Sequence, residues 1–139
     1  MKAWPHPPKT VAAAVLLVLI SVTGCSASPP VLPDRAAPAV KAEEARLATL
    51  LGADTSILGV PGVCKVRLLG QQPGVSFVWA TCESPDPPNT AASLPIRIDG
   101  AKLTLAGDGA VYSETVREMF PEDLADLVLN NPDSPDVRP

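Results

Sequence analysis

The residues of this chain with chemistry to offer are three cysteines, one histidine and a group of carboxylates near the C-terminus. Asp108, Glu114, Glu118, Glu122, Asp123 and Asp126 crowd one region. A pair of them could serve a glycosidase-like hydrolase, or a few could form a loose Ca²⁺ site. The spacing favours a plainer role. Glu114 and Glu118 are four apart, as are Glu122 and Asp126, and each pair lies opposite an apolar stripe, where a solvated helix carries its charges. Glu122 and Asp123 also suit the N-terminal end of a helix dipole. The histidine is His6, so any product cut downstream of it has none. Ser–His and Cys–His catalysis and the commonest zinc ligand are then lost. No nucleotide loop, nucleophile elbow, zincin helix or EF-hand loop is present, and no cofactor is expected. The sequence therefore reads as non-enzymatic.

The first 25 residues explain one cysteine. Lys2 and Lys9 flank a short head, Val11 to Ile20 is uninterruptedly apolar, and Ser21 to Gly24 is small and uncharged. Basic head, apolar middle and small-residue exit make up a secretory signal. Val11 to Thr23 is short of the roughly 20 apolar residues that a membrane-spanning helix requires. The tetrapeptide Val22-Thr23-Gly24-Cys25 resembles the lipobox of bacterial lipoproteins. That resemblance implies cleavage before Cys25, diacylglycerol on its thiol, and a cell-membrane location on the extracytoplasmic face. Several buried acyl chains hold far better than one, at about 0.8 kcal/mol per methylene. The alternative is an ordinary signal peptide cut a few residues later, for instance after Ala27. With Cys25 assigned to lipid, Cys64 and Cys82 remain, and an even pair in an exported chain implies a disulfide.

The positions of the other elements follow from pattern. The 17 prolines fall in clusters that punctuate the chain and leave its interior segments free. Residues 25–37 read as the acylated cysteine and a flexible Pro/Ala tether, 38–130 as one small domain, and 131–139 as a disordered, Pro-broken tail. Pro38 to Leu51 has a helical stripe of Val40, Leu47, Leu50 and Leu51, with Pro38 in the first turn and Gly52 as a stop. Val63 to Leu69 and Val75 to Cys82 are β-type runs separated by the turn Gly70 to Gly74. A hairpin symmetric about Pro73 opposes Cys64 with Cys82, Val66 with Ala80 and Leu68 with Val78, within reach of a disulfide. Leu94 to Ile98 and Ala101 to Leu105 flank Asp99-Gly100, a strong hairpin signal. Symmetry there opposes Leu94 with Leu105 and Ile96 with Leu103. A short edge strand is expected around Ile57 to Val60. Ser113 is placed to cap a last helix with Val116, Phe120, Leu124 and Leu127/Val128 on one face, which Pro121 kinks or divides. The expected fold is α+β: a four-stranded antiparallel sheet of two hairpins, with N- and C-terminal helices packed on one face.

Val75, Phe77 and Trp79 line the hairpin face opposite the cysteines. If the helices cover this stripe it is core. If they cover the cysteine face instead, Phe77 and Trp79 stand exposed beside Lys65 and Arg67 as a binding patch, which Arg97 and Lys102 could extend. Beyond Cys25 the chain carries nine basic and fifteen acidic residues, a balance of −6. Nucleic acid is thus disfavoured as a partner, and so is a direct electrostatic grip on anionic lipid. The expected partners are the membrane, through the lipid anchor, and a protein or cell-wall component. A small carboxylate-dependent hydrolase acting on cell-wall material, or a structural envelope spacer, are the competing readings.

Overall fold

The computed structural model describes residues 28–86 and 89–139, so the expected leader and Cys25 lie outside the described residues. The chain runs α1 (Pro38–Ala53), β1 (Val63–Gln72), β2 (Val75–Glu83), β3 (Ala91–Asp99), β4 (Lys102–Leu105), a 3₁₀ turn (Gly109–Val111), α2 (Tyr112–Met119) and α3 (Glu122–Asn130). The four strands form one antiparallel meander in the order β1-β2-β3-β4. The α+β class and the two-hairpin sheet are as the sequence implies.

The first hairpin keeps the expected register from Cys64↔Cys82 through Leu68↔Val78. A bulge between Leu68 and Gly70 then takes up one residue. β1 continues into the predicted turn as far as Gln72, so the turn closes over Pro73 and Gly74 alone. Proline fixes the first of these positions and Gly74 takes φ 75° at the second, a combination that a two-residue turn accepts. In the second hairpin Ile96 faces Leu105 and Ile98 faces Leu103, two residues from the expected pairing. The loop there is Gly100-Ala101, with Gly100 at φ 62°. A slip of one residue would have turned Leu103 and Leu105 to the wrong face, whereas a slip of two leaves them where the pattern put them.

Where the helices sit is corrected. They divide between the two faces of the sheet. On one face Leu47 and Leu51 of α1 pack with Cys64, Val66, Val78, Ile96 and Ile98. On the other, Val116, Phe120, Leu124 and Val128 of α2 and α3 pack with Leu69, Phe77 and Trp79. The physical reason is that β1 and β2 are apolar on both sides around Leu68-Leu69 and Phe77-Val78-Trp79, so a single layer of helices would leave one of those sides in water. Each buried Leu, Val or Phe contributes about 1.5–3 kcal/mol, enough to require the second cover.

Three local expectations also change. Ile57 to Val60 forms turns and bends, with no strand. Ser113 lies inside α2, which grows directly out of the 3₁₀ turn and has no side-chain cap. The tail is ordered: Val137 is fully buried in the second core cluster. Pro121 does separate two helices, as the N-cap residue of α3.

The bridge between Cys64 and Cys82 is formed, with Cα atoms 4.0 Å apart and a sequence separation of 18. Opening a cross-link of this loop length is expected to cost about 3 kcal/mol in the chain-entropy model. Urea unfolding of oxidised and reduced protein reads this directly, and coincident midpoints would refute it.

Candidate functional site

The residues singled out from sequence have different fates. Phe77 and Trp79 are core: they are 1 % and 2 % exposed, and the Phe77 ring lies 5.4 Å from that of Phe120. Trp79 donates its indole N–H to Ser93 Oγ at 2.9 Å, and the Arg138 guanidinium stacks 4.9 Å from its ring. Arg67 is buried too, while Lys65 is exposed. The four therefore do not form a surface patch. Phe77, Trp79 and Arg67 alternate with the cysteine-face residues along β1 and β2, and α2, α3 and the C-terminal tail close over that side. The tail's only apolar residue is Val137, too weak a signal to predict this closure.

Arg67 joins both ends of the domain. Its Nε donates to Asp136 O at 3.0 Å and its Nη2 to Pro33 O at 2.9 Å, while Nη1 lies 3.4 Å from the Glu44 carboxylate. The same Glu44 oxygen accepts the backbone N–H of Leu68 at 2.9 Å, which caps an open donor on the edge strand β1. Burial, and then the nearby charge of Arg35, lower the Arg67 pKa, while Glu44 and Asp136 oppose that shift. Arginine nonetheless stays protonated at working pH. Arg35 donates to the carbonyls of Pro135 and Arg138, so residues 33–35 and 135–138 are bound to each other as well as to β1. Arg138 completes the clasp through Pro132 O at 2.5 Å and Asp133 at 2.9 Å. Tyr112, partly covered in this cluster, has its pKa raised by burial. The sequence held one clue to the clasp: Arg67 interrupts an otherwise apolar run from Val66 to Leu69.

An open surface remains on the β3–β4 side, where α2 does not reach fully across the sheet. Arg97, Asp99, Lys102, Thr104, Thr115 and Glu118 line a shallow hollow of about 340 Å³ there. Arg97 pairs with Asp99 at 3.2 Å, and its guanidinium lies 5.9 Å from the Phe77 ring. Of the anticipated patch, Lys65 and Lys102 are exposed and Arg97 is half-buried, and Arg97 and Lys102 are the two that this hollow brings together. The hollow offers both signs of charge with hydroxyls between them, which suits a polar or zwitterionic surface.

Of the C-terminal carboxylates, Asp123 and Asp126 border one hollow beside α3. Asp126 is paired with Arg117 at 2.7 Å, Asp123 accepts the backbone N–H of Leu124, and Glu118 reaches the β3–β4 hollow without a second acid from its own helix. Among the described residues no group of three or more His, Cys, Asp or Glu side chains is placed to hold a metal ion. No protein-family model, curated protein or solved structure matches the chain.

Proposed function

We propose that the chain is a cell-envelope lipoprotein, anchored through acylated Cys25, whose small domain binds a protein or cell-envelope component in a non-enzymatic accessory role. The observation that carries this reading is Val22-Thr23-Gly24-Cys25 placed directly after an apolar run with a basic head. Two features support it. The Cys64–Cys82 bridge is of the kind that persists in oxidising, extracytoplasmic compartments. The hollow around Arg97 and Lys102 gives a partner charged and hydroxyl groups, and of its two acids, Asp99 and Glu118, the first is paired with Arg97. A hydrolase would need two carboxylates free to act in one cleft. Where Asp99 and Glu118 share a hollow, Asp99 is held by Arg97, and where Asp123 and Asp126 share one, Asp126 is held by Arg117.

In cells, Cys25→Ala is expected to abolish incorporation of a labelled fatty acid and to release the protein from the membrane fraction. A lipid-labelled, membrane-bound Cys25→Ala product would refute the anchor. A photo-cross-linker at Lys102 is expected to capture one dominant protein or cell-wall fragment, and the same group at Lys65 is expected to capture much less. Equal recovery from both positions would remove the hollow as the binding surface.

A further inference from the structure

We infer that residues Ser28 to Arg35 are a docked strap that holds the domain close to the bilayer, with the surface formed by α3 and the C-terminal tail turned toward the lipid headgroups. This rests on the acylation of Cys25 proposed above and adds a distance and an orientation to it.

The strap is held from Leu32 onward, and its first residues border hollows. Ser28, Pro29 and Pro30 lie beside Asp126, Leu127 and Asn130 of α3, where they line a hollow of about 210 Å³. Pro30, Val31 and Pro33 border the end of β1 at Leu69 to Gln72. Leu32 packs against the second core cluster, Pro33 O accepts from Arg67, and Arg35 donates to the tail carbonyls. A free tether over residues 25–37 would reach about 40 Å, at the limit of about 3.4 Å per residue. Because the chain is packed from Leu32 onward, the reach from Cys25 falls to about 25 Å, and Ser28 lies within about 10 Å.

Charge does not supply the orientation. Asp34, Asp123, Asp126, Asp133 and Asp136 outnumber Arg35, Arg117 and Arg138 on this side, and an acidic surface gains nothing from anionic lipid. The short covalent path is what fixes the facing surface. The far end of the molecule follows from β1. Gly62 N–H donates to Gly52 O at 2.8 Å, so the end of α1 and the turn after it sit at the start of β1. The strap meets the other half of that strand, from Arg67 to Gln72, about 13–30 Å farther along.

Site-specific quenching tests this on acylated full-length protein in phosphatidylethanolamine–phosphatidylglycerol vesicles that carry a headgroup nitroxide lipid. A fluorophore on Asn130→Cys, an exposed position on α3, is expected to be quenched several-fold more than one on Thr55→Cys, exposed in the distal turn. Insertion of about 20 Gly/Ser residues after Ala27 restores a long flexible tether and is expected to abolish the difference. Equal quenching at the two sites overturns the orientation, and so does a difference that survives the insertion. Fatty-acid labelling of the same preparations separates the two ideas. An unlabelled Cys25 overturns anchor and orientation together, whereas a labelled Cys25 with equal quenching overturns the orientation alone.

Discussion

Trp79→Ala is expected to destabilise the domain by about 3–5 kcal/mol, the range for truncating a large buried aromatic. The residue is 2 % exposed and central to the second core cluster, between Phe77, α2–α3 and the tail. Truncation removes more than apolar area. Ser93 loses the indole donor, and the Arg138 guanidinium loses the ring it stacks on, so the tail is loosened along with the core. A small domain has only about 5–15 kcal/mol in total, and the variant should be partly unfolded at room temperature. Trp79→Phe keeps most of the ring volume and should cost less than half as much. Urea unfolding followed by far-ultraviolet circular dichroism measures both. A loss below about 1 kcal/mol for Trp79→Ala would show that the residue does not hold the two layers together.

Arg67→Ala is expected to rank beside it, at about 3–5 kcal/mol, because removing one partner of a buried charged network strands the others. Here the stranded groups are the carbonyls of Pro33 and Asp136, with the Glu44 carboxylate at the margin. Glu44 keeps some solvent contact and its bond to the Leu68 N–H, which softens its share of the penalty. Arg67→Lys should rescue little, since an ammonium cannot serve three directions that a planar guanidinium serves at once. A second readout distinguishes the clasp from general core damage. Amide exchange should accelerate first in residues 29–37 and 131–138, before the β2 and β3 amides are affected. Uniform acceleration across the sheet would contradict the assignment of Arg67 to the termini.

Both expectations concern the side of the sheet that was least legible beforehand. The symmetry of Val63 to Leu69 and Val75 to Cys82 about Pro73 was enough to place Cys64 opposite Cys82, because a slip of one residue would turn the two cysteines to opposite faces of the sheet. Strand alternation likewise kept Leu103 and Leu105 on their proper face although the second turn formed one residue later than the Asp99-Gly100 signal suggests. The division of the helices between two layers was not readable, since each helix carries an apolar stripe that fits either face. The candidate binding residues followed that uncertainty: Phe77 and Trp79 moved into the core, while Arg97 and Lys102 remained at the surface.

The tail and the strap were misread for a related reason. Asn131 to Pro139 and the described residues of the tether, 28–37, are polar and Pro-rich, and such composition signals too little apolar surface to fold alone. Their order comes from elsewhere, through Leu32 and Val137 inserted into a core built by other segments and through Arg67 collecting carbonyls from both.

By itself, then, the sequence determined the local and covalent logic of the protein. It set the pairing of Cys64 with Cys82, the strand faces, and the division of the C-terminal helix at Pro121, and it carries the lipobox-type tetrapeptide on which the proposed anchor rests. These depend on neighbours in sequence or on a periodicity that short stretches carry. Only the tertiary structure decided which helix covers which face, that Trp79 is core, and that the two termini are bound together over Arg67. Those outcomes depend on contacts between segments up to about a hundred positions apart, such as Arg35 with Arg138, and no local pattern encodes which distant partner will be met.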